Sequence, residues 1–221
     1  MRPARCRDTR TFYLDAGSED LVAPLHLEFA ARRAGRTILD YGCATGNYCV
    51  ALRAAGFNCF GVDVNERYVA RARERGVDAR QAIPGEPIPY DDGAFDTVLL
   101  FEVLEHVGDY EFVLAEAKRV AGKNVLITVP NCGFVDALSQ ASVVPDHMLD
   151  IDHVNFFTRE QLEQALAATF ATYEIREREY RDTALYRALF PRPFAVALAA
   201  LSRAGLVRAK FSYRLFAEGA I

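Results

Sequence analysis

Hydrophobic and polar positions in the first half of the chain switch repeatedly between two periods. β-Rich runs at Arg36–Tyr41, Phe57–Asp63, Val77–Ala82, Ala94–Phe101 and Asn124–Val129 are separated by stretches with helical spacing. Ala94–Phe101 (AFDTVLLF) is nearly all apolar, as a central parallel strand covered on both faces should be. Helices are predicted over Ser18–Arg33, over Gly46–Gly56, from the capping Asn65 to about Arg75, and over about Asp109–Ala121. In the second of these, Tyr48, Val50, Ala51, Leu52 and Ala55 are the expected inward positions. Strands alternating with helices predict an α/β fold with a parallel, doubly wound sheet.

The second half is less regular. Residues 131–157 form a long connection carrying Pro145-Asp146-His147, Asp150–His153 and Phe156-Phe157, and it is the expected substrate lid. Thr158 caps a predicted helix running to about Ala168. Thr172–Arg178 and Lys210–Ala217 alternate as strands and are expected to pair antiparallel at the end of the sheet. Between them, 183–207 is a predicted insertion of two short helices broken at Pro191 and Pro193. Leu185, Leu189 and Phe190, then Phe194, Leu198 and Leu201, would line one face of each. No repeat, low-complexity stretch or linker interrupts the pattern, so residues 1–221 are expected to form one domain.

Composition narrows the class. With 51% hydrophobic and 25% charged residues, disorder is excluded. The longest apolar run, Phe194–Leu201, falls far short of the roughly 20 residues of a membrane span. Five Cys without regular spacing or a secretory leader argue against a disulfide framework and for a reducing cytoplasm. The net charge of −4 is unevenly spread: nine acids and no Lys or Arg from Pro84 to Ala117, six bases and no acid from Thr183 to Ala217. The acidic block suits a cationic ligand. The basic block, which includes Arg214, suits an anionic partner only if its charges share a face.

The chemistry is concentrated in ILDYGCATGN, Ile38 to Asn47. A strand delivers Asp40 and Gly42, and Gly46 opens a helix, so the backbone can turn sharply and let a ligand approach closely. Asp63 ends the next strand 21 residues after Gly42, where a doubly wound fold places a carboxylate on ribose hydroxyls. The order Gly42-Cys43-Ala44-Thr45-Gly46 departs from the GxGxxG turn that holds a dinucleotide. Asp40 would repel a pyrophosphate and attract a sulfonium or an α-amino group.

Together with GVD at Gly61–Asp63, DDGAFDTV at Asp91–Val98, EVLEHV at Glu102–Val107 and ITVPN at Ile127–Asn131, this segment resembles the class I S-adenosylmethionine-dependent methyltransferases. The resemblance covers about Thr37 to Leu166. It implies a seven-stranded Rossmann-like sheet, mostly parallel with an antiparallel terminal strand, and S-adenosylmethionine as cofactor. Carried over, Asp40, Gly42, Cys43 and Gly46 would surround the methionine moiety and ribose. Asp63 would hold the ribose hydroxyls, Val64 would pack on adenine, and Phe101 would lie near the sulfonium. Two departures stand out: Ala44 where many members carry glycine, and Gln81-Ala82 where an acid or Asn often meets the adenine amine. Adenine would then be met by the backbone at Ala82 and Ile83.

Glu102, Glu105 and His106 fall at i, i+3 and i+4 and would share a helical face just past the fourth strand. They could be a cap with surface pairs, a general base at His106 oriented by a carboxylate, or a divalent-metal site joined by His153 or His147. Glu102, His106 and His153 are the catalytic candidates; Glu102, Glu105, His106 and His153 are the metal candidates. ExxEH followed by DHVNFFTREQL (Asp152–Leu162) is similar to the metal-dependent small-RNA 3′-end 2′-O-methyltransferases, and also to ubiquinone-pathway O-methyltransferases. His26 is expected to be structural or solvated, and Cys43 and Cys132 small buried residues. The expected acceptor is small or lipid-linked and methylated on oxygen; the apolar residues of the 183–207 insertion are expected to cover the sheet or a dimer contact, with peripheral contact of its arginines to the inner face of a membrane as the alternative. The acidic site argues against nucleic acid. An RNA 3′ end and a non-catalytic nucleoside-binding module are the alternatives. Oligomeric state is left open.

Overall fold

The computed structural model describes residues 12–14, 18, 20–140, 146–180, 190–204, 206 and 212–221. The five expected parallel strands are present as β1 (Thr37–Tyr41), β2 (Asn58–Asp63), β3 (Ala79–Gln81), β4 (Phe95–Phe101) and β5 (Ala121–Pro130). With β6 (Thr172–Tyr180) and β7 (Ser212–Ala220) they form one seven-stranded sheet in the order β3-β2-β1-β4-β5-β7-β6. β1 runs parallel to β2 and β4, and β5 to β4. β7 is antiparallel to both β5 and β6, so the one reversed strand is slotted inside the sheet, with β6 at the edge.

Successive residues of the inner strands feed opposite faces, as the two-residue period requires. Leu39 and Tyr41 of β1, Val98 and Leu100 of β4, and Val125, Ile127 and Val129 of β5 pack with helices α4 (Tyr110–Val120) and α6 (Arg159–Thr169). Ile38, Leu99, Phe101 and Leu126 point the other way, to α1 (Pro24–Arg33), α2 (Asn47–Ala54) and α3 (Glu66–Glu74). Asn65 caps α3 by accepting from the Arg67 N–H, and Asp109 caps α4 by accepting from the Phe112 N–H. Thr158 and Gln161 close a reciprocal capping box on α6. Two shorter pieces occupy the 131–157 connection, α5 (Val135–Gln140) and a 3₁₀ turn at Asp146–Leu149.

Four expectations are corrected. α1 starts at Pro24, because proline at its first turn fixes the entry and lacks only an N–H that has no partner there anyway. On α2 the buried residues are Asn47, Cys49 and Leu52, whereas Val50 and Ala55 face solvent; the left-handed Gly46 before it rotates the inward face. Pro191 and Pro193 start a helix, α7 (Arg192–Arg203), with Pro191 as its N-cap, and the other expected helix of the insertion lies outside the described residues. In α7 the small Ala195 and Ala199 are buried with Leu198, while Phe194 is 65% exposed and Leu201 is exposed as well. Leu185 and Leu189 lie outside the described residues. Fourth, Glu102, Glu105 and His106 do not share an α-helical face. Glu102 is a left-handed residue (φ +54°) that ends β4, and only Leu104–His106 is helical, as one 3₁₀ turn. Among the described residues no helix is long and apolar enough to cross a membrane.

Candidate active site

The strand order reverses between β1 and β4, and the crevice at the carboxyl ends of these strands is where open α/β sheets bind ligands. A cavity of about 550 Å³ opens there, within the range of small-molecule sites. Tyr41, Gly42, Ala44, Asp63, Val64 and Asn65 form one wall. Glu102, Val103, Glu105, His106, Asp150, Asp152 and His153 form the other, and Phe12, Tyr13, Tyr68, Tyr213 and Arg214 close the ends. A larger open groove of about 1010 Å³ between α4 and α6, past Tyr110, Lys118 and Gln161, contains none of the candidate residues.

The first wall follows from its glycines. Gly42 has φ +91°, and a Cβ there would lie 2.6 Å from Val103 Cγ2, so only glycine fits. Ala44, the departure from the glycine-rich pattern, also adopts the left-handed region at φ +45°. Its strained peptide is held by Asp63, whose Oδ2 accepts from the Ala44 N–H at 2.8 Å while Oδ1 accepts from the Asn65 N–H at 2.8 Å. Burial pushes the Asp63 carboxyl up, against the pull of those backbone N–H groups. Val64 is 51% exposed on the same wall, an open apolar platform.

The remaining cofactor candidates lie beneath this wall. Asp40, Cys43, Gly46, Ala82 and Phe101 are absent from the cavity lining. Asp40 is 2% exposed, and burial followed by the nearby Asp63 charge pushes its carboxyl up to about 7. Its Oδ2 meets Cys49 Sγ at 3.7 Å, and Cys59 Sγ lies 3.3 Å from Cys49 Sγ. Phe101 is packed edge-on to His26 and Tyr48, because its position in β4 directs it to the α1/α2 face. Ala82 is buried, and its N–H donates to the Asp63 carbonyl.

The second wall divides in two. Glu102 is drawn toward β7: Arg214 Nε donates to its Oε2 at 2.8 Å, and Arg214 Nη1 also pairs with Glu179. His26 Nε2 lies 3.6 Å from Glu102 Oε1 and 2.9 Å from Thr128 Oγ1. Burial alone would raise the Glu102 carboxyl, but Arg214 and His26 outweigh it and hold it well below the usual carboxylate range. Glu102 therefore stands apart from the other metal candidates. His26, expected to be structural or solvated, is 1% exposed and underpins the site. Arg214 is turned inward rather than contributing to a basic face. No period in the sequence announces either role; the hint was an unpaired-looking histidine on a helix and an arginine inside an alternating strand.

Glu105, His106 and His153 do come together. One ligand atom from each lies within 4.8 Å of the others. Glu105 is 1% exposed, and burial, then the neighbouring Glu102 charge, push its carboxyl well up. Asp152 Oδ2 stands 3.6 Å from His106 Nδ1, and Asp150 Oδ2 stands 3.7 Å from His153 Nε2. The two imidazoles meet edge to face with ring centres 4.5 Å apart. The segment is pinned by the N–H groups of Val154 and Asn155, which donate to the Glu105 carbonyl, and by Asn155 Nδ2 on the Leu104 and Val107 carbonyls. Asp150 and Asp152 were not among the sequence candidates; their only signal was proximity to His153. The side chain of His147 lies outside the described residues. Tyr13 roofs the cavity, its hydroxyl pushed up to about 12 by burial, Glu102 and Tyr68.

A glycine turn, an acid closing β2 and a cavity at the switch point define a nucleoside-binding α/β protein whose cofactor and acceptor would meet over Gly42. Residues 14–169 match the family described as a methyltransferase domain, and the chain belongs to that family. A ubiquinone biosynthesis O-methyltransferase of Hahella chejuensis is 34% identical over 109 residues, covering 45% of this chain and 46% of that protein. A probable S-adenosylmethionine-dependent methyltransferase of Mycolicibacterium smegmatis is 33% identical over 111 residues, covering 48% and 43%. The chain thus spans about half the length of these curated relatives. The solved structure of a SAM-dependent methyltransferase from Archaeoglobus fulgidus shares the fold, with a TM-score of 0.65 at 17% identity over 89% of this chain and 93% of that one.

Proposed function

We propose that this chain transfers the methyl group of S-adenosylmethionine to a hydroxyl oxygen of a small or lipid-linked acceptor. The observation that carries this is the facing of the two walls: Gly42, Asp63 and Val64 opposite Glu105, His106 and His153 across one cavity. Asp63 receives the ribose hydroxyls, and Val64 carries the adenine. Asp40, Cys43, Gly46, Ala82 and Phe101 support the cofactor wall from behind. The acceptor oxygen attacks the methyl carbon in line, the C–S bond breaks, and S-adenosylhomocysteine leaves. The hydroxyl proton departs to water or to a basic group of the Glu105–His106–His153 cluster, while Glu102 positions that wall from its pair with Arg214. The 150–153 part of the expected lid lines the acceptor side of the cavity. The relative named for ubiquinone biosynthesis O-methylation supports oxygen as the acceptor atom.

An RNA 3′ end fits less well. Among the described residues, Asp63, Glu102, Glu105, Asp150 and Asp152 line the cavity against one arginine, Arg214, and a polyanion would be repelled. The test is calorimetric titration of S-adenosylhomocysteine into wild type and Asp63→Ala, followed by turnover on phenol and catechol acceptors. Tight binding weakened at least tenfold by Asp63→Ala, with methyl ether formed, is the expected result. Binding without turnover on any acceptor would favour a non-catalytic nucleoside-binding module.

A further inference from the structure

We propose that α7 and its basic flanks form a docking surface for an anionic lipid bilayer. This goes beyond the methyl-transfer function proposed above and rests on it in one respect, the choice of a lipid-linked acceptor over a freely diffusing one. Phe194 to Leu201 is an unbroken apolar run, so α7 has apolar residues on every side. It turns them in the reverse of the usual sense. The buried side carries the small Ala195 and Ala199 with Leu198 beside them. Phe194, Ala197 and Leu201 fall at i, i+3 and i+7, and Pro193, Val196 and Ala200 repeat that spacing next to them; all six are exposed. A helix that only completes a fold buries its largest apolar side chains and gives polar ones to water. One that offers Phe and Leu to solvent with no charge between them is completed by an apolar partner or phase.

Charge selects the occupant. The sequence from Thr183 to Ala217 holds six bases and no acid in a chain whose net charge is −4. Arg192, which is exposed, opens α7, and Arg203 ends it. A second copy seated face to face would set two such basic segments against each other, and that repulsion opposes a symmetric dimer. An anionic bilayer satisfies both features at once, taking the apolar side chains among its acyl chains and the arginines among its phosphates. At a rise of about 1.5 Å per residue α7 is about 18 Å long, too short for hydrocarbon about 30 Å thick, so it lies in the plane of the interface. The next strand, β7, brings Tyr213 and Arg214 to one end of the cavity. Residues 204–211 join the two elements, a reach of no more than about 30 Å. A lipid-linked acceptor can therefore keep its tail in the bilayer while its head group enters the cavity.

Flotation of the full chain with vesicles tests the surface. The chain should float with phosphatidylcholine vesicles that carry about one-third phosphatidylglycerol, much less with phosphatidylcholine alone, and less again as salt rises. Phe194→Ser combined with Val196→Ser should lower partitioning at least about tenfold and keep the wild-type affinity for S-adenosylhomocysteine, which shows that the variant is folded. No flotation with the anionic vesicles by protein that binds S-adenosylhomocysteine, or undiminished flotation of the double variant, overturns the membrane surface and leaves methyl transfer standing. So does a wild type that sediments as a dimer and becomes monomeric in the double variant, since a second copy then covers the face. Flotation of a wild type that binds no S-adenosylhomocysteine overturns the methyl-transfer function instead and keeps the surface.

Discussion

On the β1–β2 side of the cavity, one stretch from Tyr41 to Asn65 supplies the wall, and its carboxylate is tied down by backbone N–H groups of Ala44 and Asn65. Across the cavity, the wall is gathered from the end of β4, the 150–153 segment and β7, with Glu105 and His106 carrying buried polar atoms that make no hydrogen bond among the described residues. A wall whose polar groups are satisfied by its own backbone is preorganised for a constant ligand. A wall with unmet carboxylate and imidazole atoms is completed by what binds. On the proposed function, the cofactor belongs to the first and the changing acceptor to the second.

The largest effect should come from breaking the second wall at its root. Arg214→Met leaves Glu102 without its cation and should cost about 3–5 kcal/mol in denaturant unfolding, most of it recovered by adding Glu102→Gln. Recovery would show that the loss belongs to the stranded charge and not to packing.

Next, Gly42→Ala attacks the first wall. The added Cβ meets Val103 at 2.6 Å in a left-handed backbone, so S-adenosylhomocysteine affinity should fall at least about a hundredfold.

A smaller effect is read through pH. The Asp40 carboxyl sits at about 7 in the fold against an ordinary value of 3.8. The folded chain therefore holds a proton that the unfolded chain releases, and the resulting stability is full below about pH 4 and lost as pH rises to about 7. Melting curves of the cofactor-free protein should show that decline, and Asp40→Asn should flatten it and gain about 1 kcal/mol or more at pH 8. The same substitution should change S-adenosylhomocysteine affinity less than tenfold, since Asp40 backs the cofactor wall without lining the cavity.

Smallest is Thr158→Ala, far from both walls. Loss of the capping box should cost about 1 kcal/mol and leave cofactor affinity unchanged. A change in affinity would mean that α6 and the site are coupled.

The five parallel strands, the capped helices and the Gly42–Asp63 wall were all legible in the sequence, because each is written locally. A run of apolar residues makes a strand covered on both faces, and Asn65 or Thr158 caps the helix it precedes. What escaped depended on residues far apart. Glu102, Glu105 and His106 look helical by spacing, but the left-handed turn at Glu102 redirects its carboxylate to Arg214, 112 positions away. His26 reaches Thr128 across 102 positions. Long-range pairs of this kind leave no period, so neither the buried arginine nor the carboxylates beside the two histidines could be read from spacing.

β7 is the last of the seven strands in chain order, yet it sits between β5 and β6 and brings Arg214 to the catalytic cleft. A growing chain therefore cannot assemble the acceptor side piece by piece. Until residues 212–220 are delivered, β5 has an open edge and Glu102 lacks its guanidinium partner. A prematurely terminated product lacking this strand would be adhesive and inert, a target for proteases, rather than a slower enzyme. One arginine thus makes the Glu102 wall wait on a strand 112 positions further along the chain.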